Sequence, residues 1–123
     1  MEASYIRIFA DEGGESHFED LDVVLEQQNF APPAGPVNIA PFQKASGTFW
    51  FGADPGWDGL AHPTPRRQIF CVVQGSIEGA TSDGEVRLFG PGAVIVLEDT
   101  EGEGHSTRVV GDEDLIMFGV VLD

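Results

Sequence analysis

The stretch GWDGLAHPTPRRQIFCVVQG, residues 56–75, decides how the whole chain is read. Its second half, Gln68 to Val73, is an apolar and β-branched run closed by a glycine two residues on, the pattern of a short buried strand. Its first half is punctuated by Gly56, Gly59, Pro63 and Pro65 and carries His62, one of only three histidines. In extended chain, residues two apart share a face. His62, Thr64, Arg66, Gln68 and Phe70 therefore point the same way if no bulge intervenes, and closing the sheet into a barrel turns that face inward.

On either side of this stretch, short apolar runs recur between Gly, Pro and Asp. They predict strands near Tyr5–Phe9, Leu21–Leu25, Val37–Ile39, Thr48–Phe51, Gln68–Val73, Ile77–Ser82, Glu85–Phe89, Ala93–Leu97, Ser106–Val110 and Leu115–Leu122. Only Phe18 to Gln28 admits a helical reading, and its alternation suits a strand equally well. Asp83-Gly84, between two of these runs, predicts a two-residue type I′ hairpin turn. Residues 29–35, NFAPPAG, read as a surface connection. Many short strands with no helix suggest a sandwich or barrel.

The 123 residues are expected to form one domain. No apolar run approaches the roughly 20 residues a membrane helix needs, and the first 20 residues lack the basic and apolar blocks of a secretory leader. A single cysteine, Cys71, excludes an intramolecular disulfide and a multi-cysteine zinc site, so a reducing cytoplasm is the expected location. Out of phase with Gln68 and Phe70, Cys71 reads as a buried, inert thiol. Twenty-one acidic residues against six basic ones give a net charge of −15. Such a surface repels nucleic acid and anionic membranes, because phosphate binding needs clustered Lys and Arg. An anionic ligand would have to find Arg66 or Arg67 locally.

With these residues in view, the chain resembles a small single-domain bacterial cupin. That family's first motif runs Gly, five residues, His-x-His, three or four residues, Glu, six residues, Gly. Gly56, His62, Thr64, Gln68 and Gly75 hold those positions here. The second motif joins an apolar strand to Pro-x-Gly, two residues and His. Gly92, Ala93–Leu97, Gly102 and His105 match it loosely, with Glu98 near the place of the missing proline and a loop two residues longer. The resemblance covers residues 47 to 122, leaving 1–46 as N-terminal strands and a loop. It extends to a group of small cupins with a His-Pro-x-Pro-Arg-Arg-Gln run and no settled activity. It implies an all-β fold, the cupin jelly-roll β-barrel or double-stranded β-helix.

Metal-binding cupins hold a divalent ion with three histidines and a glutamate, whereas Thr64 and Gln68 occupy the second histidine and the glutamate positions here. His62, Gln68 and His105 remain as candidate ligands for Fe, Mn, Ni or Zn, with Asp58 or Glu98 as nearby charge. Two imidazoles and an amide bring no negative charge to a cation, so a metal-free pocket stays equally open. In that case His62 and His105 are candidate acid–base residues for isomerase, lyase, dehydratase or cyclase chemistry, with Gln68 as a catalytic candidate that fixes a substrate oxygen beside them. Thr64, Arg66, Trp57, Asp58 and Trp50 are candidate contacts to a small polar substrate. A non-enzymatic binding or sensing module is the alternative, and a metal-dependent dioxygenase a third. Consecutive aromatics at Phe49, Trp50 and Phe51 require some to face outward, which suggests a homodimer contact. His17 is expected at an exposed edge.

Overall fold

The computed structural model describes residues 1–122. Twelve strands follow one another: β1 (Glu2–Ala10), β2 (Ser16–Val24), β3 (Glu26–Gln28), β4 (Val37–Ile39), β5 (Gly47–Ala53), β6 (Asp58–His62), β7 (Gln68–Gln74), β8 (Ser76–Thr81), β9 (Val86–Phe89), β10 (Val94–Leu97), β11 (His105–Val110) and β12 (Leu115–Val121). Two sheets face each other. One has six strands in the order β2-β1-β10-β7-β12-β5, the other four in the order β6-β11-β8-β9, and β3 and β4 pair as a separate arm. Every predicted strand is present. The patterning did not reveal β3 or β6, which are short and carry exposed Gln27, Gln28 and Leu60 where a buried face would show alternation. No helix occurs among the described residues, so the ambiguous Phe18–Gln28 segment resolves into strand.

Alternation along β7 builds the core. Gln68, Phe70 and Val72 are buried between the sheets, while Ile69 and Cys71 sit on the outer face of the six-stranded sheet, where they are only half-covered. Cys71 is thus less buried than expected. Phe70 takes the ring edges of Phe49 and Phe51 at 5.5 and 5.6 Å between centroids. Such pairs add about 0.5–1.5 kcal/mol each beyond the area they bury. Trp50, between them in sequence, points the other way and packs on Phe118 at 5.0 Å. Ile8 and Phe18 join the same core from the first two strands, because β1 adds in parallel to β10.

The turn between β8 and β9 departs from the expectation. Gly84 N donates to Thr81 O and Thr81 N to Glu85 O, which closes a three-residue loop. Within this turn only Gly84 takes a positive φ, 93°, and Ser82 and Asp83 do not. A type I turn over Ser82-Asp83 followed by a left-handed glycine therefore replaces the type I′ pair. The Asp83 carboxylate favours this form by accepting from Thr81 Oγ1 and Glu85 N.

Candidate functional site

Between the sheets lies a cavity of about 340 Å³. Its walls come from alternate residues of both sheets, among them Phe49, Phe51, Phe70, Ile77, Phe89, Ile95 and Met117. At one end the lining becomes polar: His62, Thr64, Arg66, Gln68, His105 and Thr107. The run from His62 to Phe70 crosses from the four-stranded to the six-stranded sheet, and all five residues of its predicted face line the cavity.

A bulge helps bring this about. In the β6–β11 pair His105 faces His62, but Thr107 faces Gly59, so β6 carries one extra residue over that interval. The extra residue reverses the parity of the strand. Trp57 on one side of the bulge and His62 on the other both reach the cavity. The cross-strand pairing sets the two imidazoles 5.9 Å apart between ring centroids. Close backbone contact fixes the register: a Cβ on Gly104 would collide with the carbonyl group of His62, and Gly104 has φ +72°.

His105, His62 and Gln68 are each oriented by a partner that leaves one atom free. His105 is buried and its Nδ1 lies 2.6 Å from Oδ2 of Asp99, which is fully buried. An ionised carboxylate only accepts, so Nδ1 is the donor of this bond, and Nε2, on the opposite side of a ring that lines the cavity, is left without a protein partner. The second oxygen of Asp99, Oδ1, is buried without a hydrogen-bond partner. His62 is exposed at the mouth, and its Nδ1 lies 2.8 Å from the Pro63 carbonyl, which fixes the same tautomer. Thr64 Oγ1 donates to the Arg66 carbonyl at 2.9 Å and accepts from Gln68 Nε2 at 3.1 Å. The direction of that chain leaves the Gln68 amide oxygen as the free acceptor. The main-chain oxygen of Asp99 also accepts from Thr64 N, so one residue ties the two sequence motifs together.

Asp99 is the functional residue that sequence reasoning missed. Ile95 and Leu97 face inward, and the same parity places Asp99 inward and Glu98 outward. That parity is written in the strand, whereas the motif spacing points to its neighbour Glu98. Glu98 is held on the outer face by Arg7 at 2.6 Å and Arg67 at 2.8 Å and does not line the cavity. Two further expectations are corrected. Trp50 faces away from the cavity, being two-thirds exposed, because it lies out of phase with Phe49 and Phe51. Asp58 also lies outside it, on an exposed strand position beside Arg108. His17 is also remote from the cavity, half-exposed on the edge strand β2.

The donor set does not fit a firmly held divalent ion. The spacing of the two imidazoles would let both face one small group, but no carboxylate lines the cavity among the described residues. Divalent cations favour at least one anionic ligand where nitrogen donors are few. The one cluster of three metal-type side chains among the described residues, Asp11, Glu15 and His17, is elsewhere.

No family model matches the sequence, and no curated protein matches it. Solved structures do. A cupin 2 conserved barrel domain protein from Salinispora arenicola is 25% identical, with a TM-score of 0.51 over 80% of this chain and 76% of that one. A protein with a double-stranded β-helix domain from Klebsiella pneumoniae is also 25% identical, with a TM-score of 0.50 over 61% of this chain. The match spans 64% of the Klebsiella chain's length. A predicted oxalate decarboxylase from Thermotoga maritima, 20% identical, aligns with a TM-score of 0.52 over 81% of this chain and 92% of that one. The fold is thus the double-stranded β-helix of cupin domains. No helix among the described residues is long and apolar enough to cross a membrane.

Proposed function

We propose that the chain is a small cupin-fold enzyme that moves protons on a small organic molecule held in the barrel. The observation that carries this reading is the buried Asp99–His105 pair, 2.6 Å between Oδ2 and Nδ1, with the opposite ring nitrogen turned to the cavity. A carboxylate behind an imidazole stabilises the imidazolium that forms when Nε2 takes a proton. His62, across the strand pair, returns a proton in its imidazolium form, giving up the Nε2 proton while Nδ1–H stays on the Pro63 carbonyl. The free Gln68 oxygen orients a hydroxyl or amide of that ligand. Isomerase, lyase, dehydratase and cyclase steps all use this set, and fold alone does not choose among them.

The apolar walls favour a second reading, a binding or sensing module that leaves its ligand unchanged. Oxalate, the substrate suggested by the name of the Thermotoga protein, suits these walls poorly, since burying a dianion among phenylalanines costs its hydration.

Proton exchange separates the two readings. Compounds with an acidic C–H beside a carbonyl are incubated with the protein in D2O and followed by proton NMR. Enzyme-catalysed exchange that disappears in His105→Asn and His62→Ala, with melting temperature held, supports the proposal. Exchange undiminished in both variants sinks it. Ligand-dependent stabilisation without exchange favours the binding module.

A further inference from the structure

The charge pairing of the arginines points beyond the reaction class to the ligand. With 21 acidic residues and only six basic ones, cations here are outnumbered more than threefold. Arg7, Arg67, Arg87 and Arg108 each engage carboxylates at 2.9 Å or less. Arg66 does not, and among the described residues it shares this condition only with Lys44, which lies away from the cavity. Arg66 is also the one cationic side chain of Lys or Arg type that lines the cavity, and no acidic side chain lines it. Its position is set by its own backbone: the Arg66 carbonyl accepts from Thr64 Oγ1, while Thr64 N donates to Asp99. An unneutralised guanidinium is thus presented at the open, polar end of a chamber whose depth is aromatic and aliphatic.

We infer that the ligand is an amphipathic monoanion, an apolar ring or chain that enters first, with a single carboxylate left against Arg66 at the mouth. This rests on the proposed use of the same cavity and narrows its substrate class. Guanidinium is built for carboxylate, offering two parallel donors. Repulsion from the acidic surface disfavours anions everywhere else, so Arg66 sets both site and orientation. In this pose the atoms next to the carboxylate lie beside His62 and His105, and the body fills the space between Phe49, Phe70 and Met117. A small polar substrate, the expectation from the sequence, would leave those walls uncovered.

Binding by calorimetry tests this without any turnover, using 4-phenylbutyrate, its neutral amide 4-phenylbutanamide, and the short dianion succinate. Phenylbutyrate should bind most tightly. Arg66→Gln should weaken it roughly tenfold or more, as expected for loss of a charged hydrogen bond, and leave the amide unchanged. Arg66 is exposed, so the variant should fold, and unchanged near-UV circular dichroism confirms it. Equal affinity for acid and amide, tighter binding of succinate, no binding of any probe, or indifference of phenylbutyrate to Arg66→Gln each overturns the inference. Phenylbutyrate binding that Arg66→Gln weakens, with no proton exchange by the wild-type protein, would sink the acid–base reading and leave this one standing.

Discussion

Replacing Asp99 by asparagine is the sharpest perturbation of the site, because shape is kept and one charge is removed. Asp99 is fully buried, and its Oδ2 accepts from His105 Nδ1 at 2.6 Å while Oδ1 has no partner. A hydrogen bond to a charged group contributes about 1.5–3 kcal/mol, a neutral one about 0.5–1.5. Against that loss stands the relief of burying a carboxylate with one oxygen unsatisfied. The net cost of Asp99→Asn should therefore be small, about 1 kcal/mol, or a melting temperature lower by about 3–5 °C for a domain of this size. Asp99→Ala also strands the His105 N–H and opens a cavity, and should cost about 2–4 kcal/mol. The chemical effect is larger than the thermal one. The amide can turn its NH2 toward Nδ1 and force the proton to Nε2, which removes the base that faces the cavity. Long-range nitrogen–proton NMR reads the tautomer directly, and with three histidines in the chain His62→Ala and His17→Gln complete the assignment. Wild-type His105 should be protonated at Nδ1, and the asparagine variant should lose that preference. A wild-type ring protonated at Nε2 would refute the reasoning, as would an asparagine variant more stable than its parent.

Away from the cavity, His17 joins Asp11 at 2.7 Å and Asp83 at 3.0 Å, linking two hairpins. The bond to Asp11, then that to Asp83, raises its pKa above the ordinary 6.5, and both carboxylates are lowered, Asp11 by His17 first and Asp83 by Thr81 first. The histidine's contribution is complete below about pH 6.5 and is lost as pH rises through its raised value; the carboxylates' contribution persists above about pH 4 and is lost as pH falls through their lowered ones. His17→Gln should therefore lower the melting temperature at pH 5–6 and converge with wild type near pH 9, whereas a difference independent of pH would contradict the linkage. Glu98→Ala, breaking both arginine contacts of a partly exposed carboxylate, should cost about 1 kcal/mol in urea unfolding and leave phenylbutyrate affinity intact; weakened binding would mean that Glu98 serves the site. Elemental analysis of untagged protein should find no stoichiometric divalent metal. One equivalent of a single ion, lost in both His62→Ala and His105→Ala, would show that the neutral donors suffice.

The alternation in Gln68–Val73 already placed Gln68 and Phe70 inward, and the same period already set His62, Thr64 and Gln68 on one face, which the resemblance to a cupin implied was the inside of a barrel. These are local properties: period two follows from the geometry of an extended chain and needs no partner. What the chain could not show by itself depends on pairing. The extra residue in β6 exists only relative to β11, and it brings Trp57 and His62 into one cavity. Strand parity with Ile95 and Leu97 already turns Asp99 inward and Glu98 outward, but only packing sets Asp99 behind His105 and Glu98 against Arg7 and Arg67. Trp50 read as a ligand contact because aromatic character is visible in one dimension, whereas the side of the sheet is fixed by register with β12. The isolation of Arg66 is tertiary too, since a residue's charge is written in the sequence but its distance from every carboxylate is not.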